Sequence, residues 1–296
     1  MNICAAGDVH GRIDKLYGCI KKFESELKTD FDVILQVGDF GIWINEFYHD
    51  GITKFHKGTG DFPAWYKEKK TAPVKTYFVN GNNEDFNFLN SIKLSGDLQI
   101  IKNLFYIPNG TVTDIKVNVK NRTKDAGNKS GEDAVDADNS GDIQSLIVAG
   151  IGGKYDAEHF RYNESDRYYT KREIDNLLKY AEENKGNEDK NIDIFISHDA
   201  PEGVQIEDSD KNRYYPKAVG LRDLILKIKP KMVFFGHHHG ICKSDIEGIP
   251  VYGLNVLGGK GALLSTVMRS GIEDEKVKKY KEKYKGGKYF EKPLIK

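Results

Sequence analysis

Asp8 and His10 in Gly-Asp-Val-His-Gly, and His237 and His239 in Gly-His-His-His, are pairs of metal-ligating residue types two positions apart. On an extended chain that spacing puts both side chains on one side, so each pair can point into a common cavity. Asp39 in Gly-Asp-Phe-Gly, Asn82 in Gly-Asn-Asn-Glu and His198 in Ser-His-Asp add single candidates of the same kind. Together they offer four imidazoles, two carboxylates and one amide oxygen, a mixture that suits Mn²⁺, Fe or Zn²⁺ better than Ca²⁺. One cation could not use all seven. A carboxylate such as Asp39 can bridge two cations, and a pair of cations roughly 3.5–4 Å apart suits in-line attack at phosphorus.

Each candidate follows a short apolar run rich in β-formers: Asn2 to Ala6, Val33 to Val37, Val74 to Val79, Ile192 to Ile196 and Met232 to Phe235. Helical patterns lie between these runs. Ile13, Leu16, Tyr17, Ile20, Phe23 and Leu27 recur at three- and four-residue spacing, an amphipathic stripe. Thr170-Lys171-Arg172-Glu173 is a capping box ahead of Ile174, Leu177, Leu178 and Ala181, and Leu221 to Ile228 stops at Pro230. This alternation predicts an α/β fold with buried sheet. In open α/β sheets the carboxyl ends of strands share one edge, so residues from Asp8 to His239 can converge there.

Further strands are expected at Ile100 to Ile107, Thr111 to Val119 and Ser145 to Gly150. The polar stretch 120–142 reads as a surface insertion between two of them. A single domain over 1–268 is expected, followed by a Lys/Tyr-rich tail at 269–296 whose default reading is a solvated terminus. The stretch between Asp39 and Val74 carries Trp43, Phe47, Tyr48, Phe55, Phe62, Trp65 and Tyr66, and reads as a long structureless loop rather than a simple connection, which suggests that it faces substrate. Gly253 to Lys260 approaches a phosphate-binding loop but lacks the Lys-Ser/Thr ending, so it reads as a turn between strands.

The 45 Lys and Arg of this 296-residue chain balance 45 Asp and Glu. No chain-wide basic field exists to bind duplex nucleic acid regardless of sequence. No apolar run approaches the roughly 20 residues of a membrane span, so a membrane role is excluded. The start MNICAAGDVHGR has no basic region ahead of an apolar one, so no signal peptide is expected and the cytoplasm is the expected compartment. Cys4, Cys19 and Cys242 are far apart and form no CxxC pair, which suggests reduced thiols.

Asp-x-His, Gly-Asp, Gly-Asn-x-Glu, His and Gly-His-x-His, in this order between Met1 and Met268, resemble the calcineurin-like metallophosphoesterase superfamily. The resemblance implies a four-layer α/β/β/α sandwich. It implies that Asp8, His10, Asp39 and His239 hold one divalent ion and that Asp39, Asn82, His198 and His237 hold a second. It further implies hydrolysis of a phosphate ester by a metal-bound hydroxide. The superfamily usually has a histidine, acting on the leaving oxygen, where this chain has Asn83. An amide can donate a hydrogen bond there but cannot supply a proton. Asp85, His49, His56, His159 and His238 are the candidate substitutes, none favoured by spacing.

Within the superfamily, Asp39 to Phe88, with Glu68 to Val74 ahead of the third strand, resembles the RNA lariat debranching branch. Gly152-Gly153-Lys154-Tyr155 and the following Asp156 to Phe160 are similar to the same branch. That branch has Cys at the position of Asp8, the histidine at the position of Asn83 and a further C-terminal domain. The expected function is a dinuclear phosphoesterase acting on a phosphodiester or phosphoanhydride, with nucleotides or RNA among the candidate substrates. One alternative is a metal-binding scaffold without turnover. The other is an RNA-processing hydrolase that stacks bases on Trp43, Trp65 or Tyr66 and uses the Lys/Tyr tail.

Overall fold

The computed structural model describes residues 1–45, 59–119, 142–162, 166–208 and 210–267. In chain order the elements are β1 (Asn2–Ala6), α1 (Ile13–Leu27), β2 (Val33–Gln36), α2 (Phe62–Lys67), β3 (Lys75–Phe78), α3 (Phe86–Ser95), β4 (Gln99–Ile101), β5 (Leu104–Tyr106), β6 (Thr111–Val119) and β7 (Asp142–Ile151). They continue with α4 (Ala157–Tyr162), α5 (Lys171–Glu183), β8 (Ile194–Ser197), β9 (Ile206–Glu207), β10 (Arg213–Tyr214), α6 (Leu221–Ile228), β11 (Met232–Phe235), β12 (Cys242–Ile246), β13 (Ile249–Gly253) and β14 (Leu263–Val267).

Two six-stranded sheets carry the fold, in the orders β14-β1-β2-β3-β5-β4 and β12-β13-β11-β8-β7-β6. Each has four parallel strands inside and an antiparallel strand at either edge. The reason lies in the strand sequences, which are apolar on both faces. Ile3, Ala5, Val33 and Leu35 of the first sheet join Ile194, Ile196, Met232 and Phe234 of the second in the core between the sheets. The alternate residues Cys4, Ala6, Ile34 and Phe78 face outward onto Ile13, Leu16, Ile20 and Phe23 of α1 and Phe88 and Leu89 of α3. On the far side Phe195, Val233 and Phe235 pack on Ile174 and Leu177 of α5 and on Leu221, Leu224 and Ile225 of α6. Helix, sheet, sheet, helix is the four-layer α/β/β/α sandwich.

Helices α1, α5 and α6 match the sequence reading, and Thr170 and Glu173 form both halves of the capping box at α5. The α1 start is capped from elsewhere. The Asp61 carboxylate accepts from the Ile13 and Asp14 amides at 2.7 and 2.9 Å, which ties the segment before α2 to the loop that carries His10.

Two expectations need correction. Ile100 to Ile107 is an antiparallel hairpin, β4 and β5, whose turn puts Asn103 at φ 68°. Nor is the Asp39 to Val74 connection structureless throughout: Phe62 and Trp65 of α2 are buried in the core, and the Trp65 Nε1–H donates to Asp14 at 2.9 Å. The tail at 269–296 and the insertion up to residue 141 lie outside the described residues, as do Phe47, Tyr48, His49, Phe55 and His56. The Gly253 to Lys260 segment is the connection between β13 and β14. All three cysteines are free, Cys4 and Cys242 buried and Cys19 half-buried. No described helix is long and apolar enough to cross a membrane.

Ile196 is fully buried between the sheets. Ile196→Ala is expected to cost about 2–5 kcal/mol of stability, read from urea unfolding; a loss under 1 kcal/mol would mean that this layer repacks freely.

Candidate metal centre

The loops after β1, β2 and β3 of one sheet and after β8 and β11 of the other meet at a single edge of the sandwich. There the seven predicted ligands gather. His239 Nε2 lies 3.1 Å from Asp8 Oδ2 and 3.1 Å from His10 Nε2. Asp39 spans the cluster, with Oδ2 3.8 Å from His10 Nδ1 and Oδ1 3.6 Å from His198 Nε2. His198 Nε2 is also 3.1 Å from Asn82 Oδ1, while its Nδ1 lies 2.9 Å from the Val37 carbonyl oxygen. Both ring nitrogens of His198 therefore face oxygen atoms, which fixes the orientation of the imidazole at the centre. Two triads, Asp8/His10/His239 and Asp8/Asp39/His198, each hold their ligand atoms within 4.8 Å of one another. His237 is in neither triad; its ring stands 4.9 Å from that of His198, and its amide donates to Asp8 Oδ1 at 3.0 Å.

Four of these residues share an unusual backbone conformation. His10, Asp39, His237 and His239 have φ of 50°, 51°, 64° and 47°. A left-handed conformation costs a non-glycine residue about 1–3 kcal/mol and persists where surrounding structure enforces it, often at functional sites. Gly38 shows how tight that enforcement is. Its φ is +98°, and a Cβ there would run into the His198 ring.

The family model for calcineurin-like phosphoesterase matches residues 1–240, which end just after the last of these ligands. The chain belongs to the calcineurin-like phosphoesterase family. Among its relatives is a lariat debranching enzyme of Arabidopsis thaliana, 25% identical over 266 residues, 82% of this chain and 55% of that protein. A lariat debranching enzyme of Schizosaccharomyces pombe is 27% identical over 267 residues, 81% of this chain and 48% of that protein. The chain thus spans about half the length of these relatives. One solved structure superposes with a TM-score of 0.51 at 14% identity, covering 86% of this chain and 90% of the other, a likeness of fold.

Electrostatics within this calcineurin-like centre favour cation binding. Burial alone would raise the Asp8 carboxyl, but the His239 hydrogen bond and the charges of His198 and His10 outweigh it and hold the group well below its usual range. Burial and the neighbouring His198 push His237 down to about 4, so its ring is neutral at pH 7 and keeps a lone pair to offer. The His239 pKa is raised, chiefly by its hydrogen bond to Asp8.

Asn83 does not stand open to the site. Its backbone N–H donates to Asp39 Oδ1 at 2.8 Å and its side-chain Nδ2 to Asp39 Oδ2 at 2.6 Å. Of the substitutes proposed for the missing histidine, Asp85 caps α3 through the Phe88 amide. His159 pairs with Asp156 at 2.8 Å, and His238 with Asp199 at 2.8 Å. The base-stacking expectation is corrected for Trp43 and Trp65, which are 5% and 6% exposed, Trp65 packed in the core beside α1. Tyr66 is 37% exposed, with its ring edge-on to Phe88.

Three supporting residues were overlooked in sequence. Glu84 accepts from the amides of Phe40, Gly41 and Ile42 at 2.8, 3.0 and 2.6 Å and so shapes the turn after Asp39; burial and the charge of Asp39 push its pKa up to about 8. Buried Gln36 bonds Gly7 and Gly38, locking two ligand loops together. Asp199 holds His238 through one oxygen and the Tyr155 amide through the other. The signal for each was position, a polar residue at the closed end of an apolar strand or inside a ligand motif.

Two outcomes follow from this geometry. Gly38→Ala should destabilise by more than the roughly 1–2 kcal/mol of left-handed strain, because the His198 ring must move too; urea unfolding indistinguishable from wild type would disprove the tight fit. For Asp199, burial raises the pKa but His238 and the charge of His237 outweigh it, lowering the value from 3.8 to about 2. A depressed carboxyl stabilises the fold above its unfolded value and ceases to do so as pH falls through the folded one. Wild type should therefore lose stability between about pH 4 and pH 2, and Asp199→Asn should lose less across that window. Parallel acid limbs for the two proteins would refute the assignment.

Proposed function

We propose that this chain is a dinuclear metal-dependent phosphoesterase that hydrolyses a phosphodiester or phosphoanhydride. In this reading Asp8, His10, Asp39 and His239 hold one cation and Asp39, Asn82, His198 and His237 the other. The carrying observation is Asp39, whose two oxygens face His10 and His198, one imidazole from each proposed cation site. The donor chemistry fits. His10 Nε2 and His239 Nε2 face each other at 3.1 Å beside a buried carboxylate, so at least one nitrogen is without a proton, an arrangement suited to a shared positive ion.

Two divalent cations would lower the pKa of water and offset charge on the phosphoryl oxygens. The chain's own part is to hold the donors rigidly, with burial keeping the His237 ring neutral. The ordered network through Gln36, Glu84 and Asp199 supports that role. Mn²⁺ is the cation we favour first, because mixed oxygen and imidazole donors suit it. No described side chain is freed to protonate an alkoxide at position 83, so esters with good leaving groups should be cleaved best.

The relatives named lariat debranching enzyme favour a nucleic-acid diester as the natural substrate. With Trp43 and Trp65 buried, stacking by the long loop falls to Tyr66. Three free thiols fit a reducing compartment, and we place the protein in the cytoplasm.

The test is hydrolysis of bis(p-nitrophenyl) phosphate against p-nitrophenyl phosphate by metal-stripped protein reconstituted with Mn²⁺, Zn²⁺, Fe²⁺ or Mg²⁺. Diester cleavage should depend on metal, and Asp39→Asn should lower it by roughly 100-fold or more, given the several kcal/mol that cations contribute. Full activity in Asp39→Asn would sink the two-cation reading, and metal uptake without turnover would favour the scaffold instead.

A further inference from the structure

Position 83 carries an amide where the family's histidine is expected, and that amide is turned toward the cation ligand rather than toward open solvent. Asp39 accepts from Asn83 twice, from the backbone N–H at Oδ1 and from Nδ2 at Oδ2, at 2.8 and 2.6 Å. A carboxylate only accepts, so the nitrogen of the amide must be the atom that faces it. The orientation is therefore set, and Oδ1 points away. That oxygen is buried and meets no donor among the described residues.

A merely structural asparagine would satisfy both ends of its amide, since a buried acceptor left bare costs about 1–3 kcal/mol. Here one end is spent on a single carboxylate and the other is unused. The arrangement fixes Asp39 in rotation: each oxygen has one lone pair engaged by Asn83, which leaves the others aimed at His10 and His198. The same residue already sits at φ 51°, so its backbone and its side chain are both held.

We propose that Asn83 is a positioning residue that clamps the shared carboxylate Asp39 for cation binding, and that it does not stand in for an acid acting on the leaving group. The inference rests on the metal assignment above. Outer partners of metal ligands typically contribute 10–100-fold to metal affinity, and a clamp on the carboxylate shared by both cations affects both sites.

The experiment is calorimetric titration of metal-stripped protein with Mn²⁺, for wild type, Asn83→Ala and Asn83→Leu, with circular dichroism to establish that each variant is folded. Leu fills much of the space of Asn without donating, so it serves if the Ala variant collapses. Wild type should bind two Mn²⁺ per chain, and both variants should bind about 10–100-fold more weakly. Turnover of bis(p-nitrophenyl) phosphate by the variants should recover as Mn²⁺ is raised, since the defect is occupancy. In an Asp39→Asn background, Asn83→Ala should weaken Mn²⁺ binding no further, because the two residues act as one unit. Wild-type Mn²⁺ affinity in both variants, or lost turnover that excess Mn²⁺ does not restore, overturns the clamp while leaving the metal assignment standing. Failure of wild type itself to bind Mn²⁺ overturns the metal assignment, and the clamp with it.

Discussion

Asp8 and Asp39 are almost completely buried, and around them stand His10, His198 and His239 at distances of 3.1 to 3.9 Å. Buried carboxylates are tolerated only when paired or hydrogen-bonded, and here the partners are imidazoles crowded into the same space. The rest of the architecture serves to keep these groups from spreading apart. The backbone amide of His237 holds Asp8 Oδ1, and the backbone amide and side-chain Nδ2 of Asn83 hold the two oxygens of Asp39.

The sandwich supplies the rigidity that this crowding requires. Four parallel strands inside each sheet end at one edge, and burial on both faces prevents them from sliding, since a one-residue slip would exchange the two cores. Ile3 and Ala5 would then point at α1, and Cys4 and Ala6 into the layer between the sheets. Ligands from both sheets meet across that layer, so their separation is set by the packing of Val33, Leu35, Ile194, Ile196 and Phe234. Core packing and the spacing of this Asp/His cluster are in this sense one constraint.

Much of this was legible in the sequence because it rests on local pattern. Apolar runs ending in glycine and a ligand type marked the sheet edge, and periodicity placed α1, α5 and α6. What escaped notice depends on contacts distant in sequence or on a turn that apolarity hides. The Ile100 to Ile107 run contains Lys102-Asn103, a turn that only the positive φ of Asn103 reveals. Trp65 lies in a long aromatic stretch that reads as a loop, yet it sits on a short helix and reaches back to Asp14, 51 residues away. Glu84 and Asp199 lay inside motifs already noticed, but their roles are to hold the backbone of Phe40 to Ile42 and of Tyr155, which no local spacing foretells.

Adjacent residues in these motifs divide the work. Asn82 faces His198 while Asn83 turns to Asp39. His198 meets the cluster while Asp199 turns to His238, and His239 bonds Asp8 while His238 bonds Asp199. One residue of each pair addresses the centre and its neighbour ties that loop to another. The ties run from the loop after β8 to that after β11, and from the loop after β3 to that after β2, so no loop can shift alone. An asparagine at position 83 fits that scheme: its reach is short, and its backbone N–H and side-chain Nδ2 both donate to Asp39 in the neighbouring loop, so it ties the loop after β3 to the loop after β2.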